Sequence, residues 1–210
     1  MPHQAVVAAL ASYRLSADLV AEVQLLWANG RVARAAALAV FALEADAKAG
    51  ERIKEVTGIP ELPRGEPHRR RIEASLASVS GMFAEDLEAI VGVEGLSTEA
   101  VWQVRQRALY VDRVDGDILT PDGLSVERAA AVVAAAQNVV NSRSVLGTDA
   151  ELLTEFFVDY GDTWRRHIEP IAADARGESW SAAAAALHAD ISARWLFGED
   201  GARVLQRIGM

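Results

Sequence analysis

Cysteine is absent from all 210 residues, so neither a disulfide framework nor a zinc–thiolate site can be built here. That absence fits a reducing compartment. Long apolar runs are absent too. The richest stretches, 129–136 and 182–187, are short and interrupted, so no transmembrane helix is expected. Met1 is followed by Pro2-His3-Gln4 rather than a basic region and an apolar run, and no secretory signal is expected. Basic charge is scarce: 21 Lys and Arg face 30 Asp and Glu, for a net charge of −9, which argues against broad nonspecific nucleic-acid binding. The motifs that mark common enzymes are also missing. There is no Gly-rich phosphate loop, no His-Glu-x-x-His, no Glu-x-x-His of the di-iron type and no serine in a nucleophile elbow. No strand pattern, internal repeat or low-complexity tail appears. A soluble cytoplasmic all-α protein with no metal and no cofactor is expected.

What is present is helical periodicity. From Gly30 to Lys48 the apolar residues Val32, Ala36, Ala39, Val40, Leu43 and Ala47 recur at helical spacing. Small side chains let neighbouring helices approach closely, so this segment reads as the central helix of a bundle. Its end turns polar, with Glu44, Lys48, Glu51 and Glu55 on one face. Before it, Ser16 reads as the N-cap of a first helix carrying Leu19, Val23 and Leu26, stopped by Asn29-Gly30. The two helices then form a tight antiparallel hairpin. A loop from Gly58 to Pro67 delivers the basic run His68-Arg69-Arg70-Arg71 to a third helix, expected from about His68 to Ile90. Ser97 opens a fourth helix through Tyr110, a turn-rich loop spans Asp112 to Gly123, and Ser125 opens a fifth. Thr148 and Glu151 fit a capping box for a further helix to about His167. One or two helices are expected in the tail.

The polar residues that could carry chemistry lie on three helices: Glu44 and Lys48, then His68 and Arg71, then Arg105, Tyr110 and Asp112. Each has an ordinary alternative. Glu44–Lys48 is an i, i+4 pair in the favoured orientation, worth about 0.2–0.5 kcal/mol on any exposed helix. The basic clusters, which also include Arg107 and the run Arg165-Arg166-His167, read first as solvated helix faces.

Taken in order, Leu43-Glu44-Ala45-Asp46-Ala47-Lys48, His68-Arg69-Arg70-Arg71, Leu109-Tyr110-Val111-Asp112 and Pro121 resemble the AbiV family of abortive-infection proteins, helical members of the wider HEPN group. The resemblance covers about Ser16 to Leu146. It implies an HEPN-like antiparallel bundle over residues 1–147; residues 148–210, which match nothing in the family pattern, are expected as a C-terminal helical extension packed on it. It also implies an anti-phage defence effector acting on RNA or the translation apparatus. In that reading His68 is the general acid or base, Glu44 and Lys48 orient it as further catalytic candidates, and Arg71, Arg105, Tyr110 and Asp112 hold substrate. The sequence departs from the family where Ala45 replaces a second glutamate and arginine replaces lysine in the basic run. The Arg-x(4-6)-His motif of HEPN ribonucleases is absent, which leaves catalysis open. HEPN-type bundles commonly pair, so a homodimer is expected, with RNA or a phage or host protein as partner and no membrane. The alternative is a non-catalytic helical module that self-associates or sequesters a protein or small-molecule partner.

Overall fold

In the computed structural model the described residues are 2–59, 66–80, 96–109, 112–114, 117–119, 121–143, 149–167, 169–172, 186–187 and 189–191. Nearly all of them are helical. The elements in chain order are α1 (Pro2–Ala28), α2 (Val32–Thr57), α3 (Pro67–Ser80), α4 (Thr98–Leu109), β1 (Asp112–Val114), β2 (Asp117–Leu119), a 3-10 turn (Pro121–Gly123), α5 (Val126–Arg143), α6 (Ala150–His167) and α7 (Glu169–Ala172).

The helical class expected from sequence is present, with one addition. β1 and β2 form an antiparallel ribbon in which Asp112 pairs with Leu119 and Val114 with Asp117. That register leaves two connecting residues, and Asp115-Gly116 is a strong sequence signal for a two-residue hairpin. Strands of three residues are too short to show alternation, so the region reads as loop from sequence alone.

The chain divides into two compact units. A core unit comprises Ala9–Gly50 and Leu62–Val145, and a terminal unit comprises Met1–Ala8, Glu51–Glu61 and Leu146–Met210. Helices α1 and α2 contribute residues to both.

In the core unit α2 is the central helix. Ala35, Ala36, Ala39, Val40, Ala42 and Leu43 are fully buried. Around them pack Val20 and Val23 of α1, Ile72 of α3, Val101 and Val104 of α4, and Val132 and Val139 of α5. Each fully buried Leu, Ile or Val side chain stabilises the unit by about 1.5–3 kcal/mol. Alanine at the contact positions removes the bulk that would hold helices apart. The clearest sign is Ser16, whose hydroxyl donates to the Ala42 carbonyl of α2 at 2.8 Å. Ser16 is therefore a buried mid-helix residue and not the cap expected from sequence, because the helix begins fourteen residues earlier, at Pro2.

Several helix ends follow their local chemistry. Gly30, with φ of 69°, closes α1 while its N–H bonds the Trp27 carbonyl and the Arg31 N–H bonds the Leu26 carbonyl. This is the two-bond Schellman arrangement that needs a left-handed residue. Gly58, also at φ 69°, ends α2. Ser97 and Ser125 cap α4 and α5 by accepting the N–H groups of Ala100 and Arg128. At α6 the cap is Asp149, which accepts from Glu151 and Leu152, whereas Thr148 lies outside the described residues. An ionised carboxylate is the stronger acceptor and also favours the positive helix end.

In the terminal unit the end of α2 meets α6 at Gly161. A Cβ on Gly161 would fall 2.2 Å from the Thr57 carbonyl oxygen and 2.7 Å from the Thr57 Cα, so only glycine permits this crossing. Beside it, Arg165 Nη1 donates to the same Thr57 carbonyl at 2.8 Å, which satisfies a group left open at the helix end. Among the described residues no helix is long and apolar enough to cross a membrane.

Candidate functional site

The site forms around a carboxylate that the core holds almost out of water. Glu44 sits on α2 in the run Ala42-Leu43-Glu44-Ala45 and is 8% exposed. A charged group so placed needs partners. Each of its oxygens has one. Oε1 accepts from Arg105 Nε of α4 at 2.8 Å, and Oε2 lies 2.8 Å from His68 Nδ1 of α3. Arg105 is itself buried, at 6% exposure, and its guanidinium stacks 5.2 Å from the ring of Trp102, three residues earlier on the same helix.

The imidazole follows from this arrangement. An ionised carboxylate only accepts hydrogen bonds, so the proton in the Glu44–His68 contact sits on Nδ1. That leaves the Nε2 lone pair on the other edge of the ring, and Nε2 has no partner among the described residues. The His68 side chain is 42% exposed, so this edge is within reach of solvent. One histidine nitrogen is thus fixed by a buried acid and the other is open, the arrangement a general base requires.

Local sequence puts His68 there. Pro67 is the first residue of α3, where a missing N–H costs nothing, and Glu66 precedes it as cap, accepting the Arg69 N–H at 2.8 Å. Slight burial pushes the Glu66 carboxyl up, but the backbone N–H groups of Arg69 and His68 and the charges of His68 and Arg105 outweigh it and hold it below its ordinary range.

A second buried acid stands two residues along α2. Asp46, 2% exposed, accepts from Ser75 Oγ of α3 at 3.0 Å and from Arg143 Nε of α5 at 3.0 Å. The Arg143 guanidinium lies 5.8 Å from the Tyr13 ring of α1. Burial pushes the Tyr13 hydroxyl up to about 12, with the Arg143 charge opposing and the Asp46 charge adding to the rise. Burial works against the Arg143 charge, and the hydrogen bond and charge of Asp46 more than restore it. Asp46, Ser75, Arg143 and Tyr13 were not among the residues expected from sequence. The available signal was an acid in an alanine run with no basic residue one turn away, which has to find its cation on another helix.

Of the expected site residues, Glu44, His68 and Arg105 come together. Lys48 does not join them: it is exposed, with no hydrogen-bond or ion-pair partner among the described residues. Glu44 takes its cation from α4, 61 residues away, and not from the i+4 position. Arg71 is part-buried on α3, one turn after His68. Arg105 is turned inward and committed to Glu44, so it is not the exposed phosphate ligand expected from sequence. Asp112 opens β1, and Tyr110 lies outside the described residues.

Two other features belong to the terminal unit. His167 Nε2 at the end of α6 lies 2.8 Å from Asp190, which is 3.5 Å from Arg166 Nη1. An open groove of about 550 Å³ is lined by His3, Glu151, Glu155, Val158, Asp159 and Asp162. Its acidic lining is unsuited to phosphate. Among the described residues no three His, Asp or Glu side chains gather to hold a metal ion. Comparison with family models, curated proteins and solved structures finds no match to this chain.

Proposed function

We propose that this chain is an abortive-infection effector of the AbiV kind that acts on RNA through His68. The observation that carries the reading is the Glu44–His68 pair: a buried carboxylate, charged against a buried arginine, fixes Nδ1 and leaves Nε2 open. His68 Nε2 is the general base for a hydroxyl of the substrate. Glu44 sets its tautomer and stabilises the ring once it has taken a proton. Arg105 is a positioning residue. Exposed Lys48, and Arg69 to Arg71 beside His68, supply positive charge for phosphate on an otherwise acidic chain. On this reading the protein works in the cytoplasm as a homodimer, on RNA or on a phage or host protein.

The alternative is a non-catalytic binding module, and one observation favours it: the same network ties α2 to α3 and α4, as a structural clasp would. RNA cleavage by the purified protein, with phage protection in cells, separates the two. Cleavage and protection that are both lost in His68→Ala support the effector reading. No cleavage by the wild type, with full protection by His68→Ala, supports the module.

A further inference from the structure

We propose, on the reading of His68 as the base, that Asp46 and Ser75 are its positioning residues: their buried hydrogen bond fixes the register of α3 on α2 and so keeps the imidazole against Glu44. Arg105 holds the acid of that contact in place from α4. The imidazole needs an anchor of its own. His68 is the second residue of α3, its side chain is partly exposed, and helix ends fray. A hydrogen bond made in that first turn is a weak hold on the helix that carries it.

Ser75 supplies the anchor. It lies two turns further along α3, about 10 Å down the axis and within about 20° of the face that carries His68. Ile72, fully buried, stands between them on that face. Its apolar packing is non-directional, so alone it would let α3 slide or turn. The bond from Ser75 Oγ to Asp46 Oδ2 is directional, buried at both ends and 3.0 Å long, and a slide of about 1 Å would break it. Asp46 is held in turn, since its Oδ1 accepts from Arg143 Nε of α5 at 3.0 Å. Glu44 and Asp46 stand two residues apart on one helix, so α2 acts as a ruler between them. Pinning α3 to Asp46 therefore places it relative to Glu44. A serine in the core needs an acceptor in any case. A role in placing His68 goes beyond that, and the imidazole itself reports it.

The test reads the His68 tautomer from long-range ¹H–¹⁵N spectra of the full chain, without RNA. Ser75→Ala removes the tie to α3 and leaves the Asp46–Arg143 pair intact, so the variant is expected to fold, which circular dichroism checks. Its ratio of Nδ1–H to Nε2–H at His68 is expected to fall about fivefold or more, the worth of one hydrogen bond. Ser75→Thr and Ser75→Val share a shape and differ in the hydroxyl. The first is expected to keep the wild-type ratio and the second to lose it. Tyr13→Phe alters the Arg143 side of the cluster, leaves the Ser75 bond in place, and is expected to leave His68 as in the wild type. A wild-type ratio in Ser75→Ala overturns the proposal. So does a ratio in Ser75→Thr no closer to wild type than that of Ser75→Val, or a fall in Tyr13→Phe as large as that in Ser75→Ala. Because no RNA enters the measurement, an absence of RNA cleavage by the wild type counts against the effector reading alone.

Discussion

Two clusters in this molecule each join a carboxylate, a histidine and an arginine and hold them differently. In the core unit Glu44 joins His68 and Arg105, and in the terminal unit Asp190 joins His167 and Arg166. The carboxylate–histidine distance is 2.8 Å in both. What differs is burial. The Glu44 side chain is 10% exposed and that of Arg105 8%, against 45% for Asp190 and 58% for Arg166. A buried acid locked to a buried arginine cannot turn away from its histidine, because either charge left alone in the core is costly. An exposed acid can exchange its partners for water at little cost. The ring edges differ too. His68 is held through Nδ1 and presents Nε2, whereas His167 is held through Nε2. Distance alone would rank the two clusters as equal, and burial holds the acid in place in only one of them.

The difference is expected to show most strongly in stability. Glu44→Ala strands Arg105 in the core and should cost about 3–5 kcal/mol in denaturant unfolding. A loss below about 1 kcal/mol would remove the contrast. Asp46 and its partners sharpen the comparison at high pH. The Tyr13 hydroxyl has a folded value of about 12 against an ordinary 10.0, so its neutral form stabilises the fold. That contribution is complete below pH 10 and is lost as pH rises through 12. Its size is about 2–3 kcal/mol. Tyr13→Phe should therefore flatten the fall in stability between those pH values, as followed by alkaline unfolding monitored by phenolate absorbance.

In the terminal unit the contact to probe is the close approach of Gly161 to the Thr57 backbone. Gly161→Ala forces a methyl into the Thr57 backbone and should cost about 1–3 kcal/mol or more by thermal melting. Smallest of all, Asp190→Asn removes an exposed charge pair and should change stability by less than about 1 kcal/mol. An effect as large as that of Glu44→Ala would make the two clusters equivalent.

How much of this was legible in the sequence depends on how local the cause is. Gly30, Gly58, Ser97 and Ser125 could be read at once, because a helix end is decided by one side chain and the next few N–H groups. The alanine pattern of α2 likewise identified the central helix. Ser16 misled, since a serine caps a helix or bonds a neighbouring helix with equal ease, and only the packing of α1 on α2 decides between them. Glu44 and His68 could be picked out as candidate polar residues, although α2 runs on to Thr57 and leaves Glu44 in mid-helix, but the partner of Glu44 could not. Lys48 is the near choice and Arg105 the actual one, because burial of α2 leaves Lys48 in solvent while α4 brings a guanidinium inside. Asp46 and Arg143 are 97 residues apart, and no local spacing reports such a contact.

Whether Glu44 fixes His68 with Nε2 open is read most directly from the tautomer of each histidine. Long-range ¹H–¹⁵N spectra of the imidazoles, taken at a pH where both rings are neutral, read it residue by residue. His68 is expected to carry its proton on Nδ1 and His167 on Nε2, with His68 losing that preference in Glu44→Gln. A His68 ring protonated on Nε2, or exchanging between both tautomers in the wild type, would contradict it.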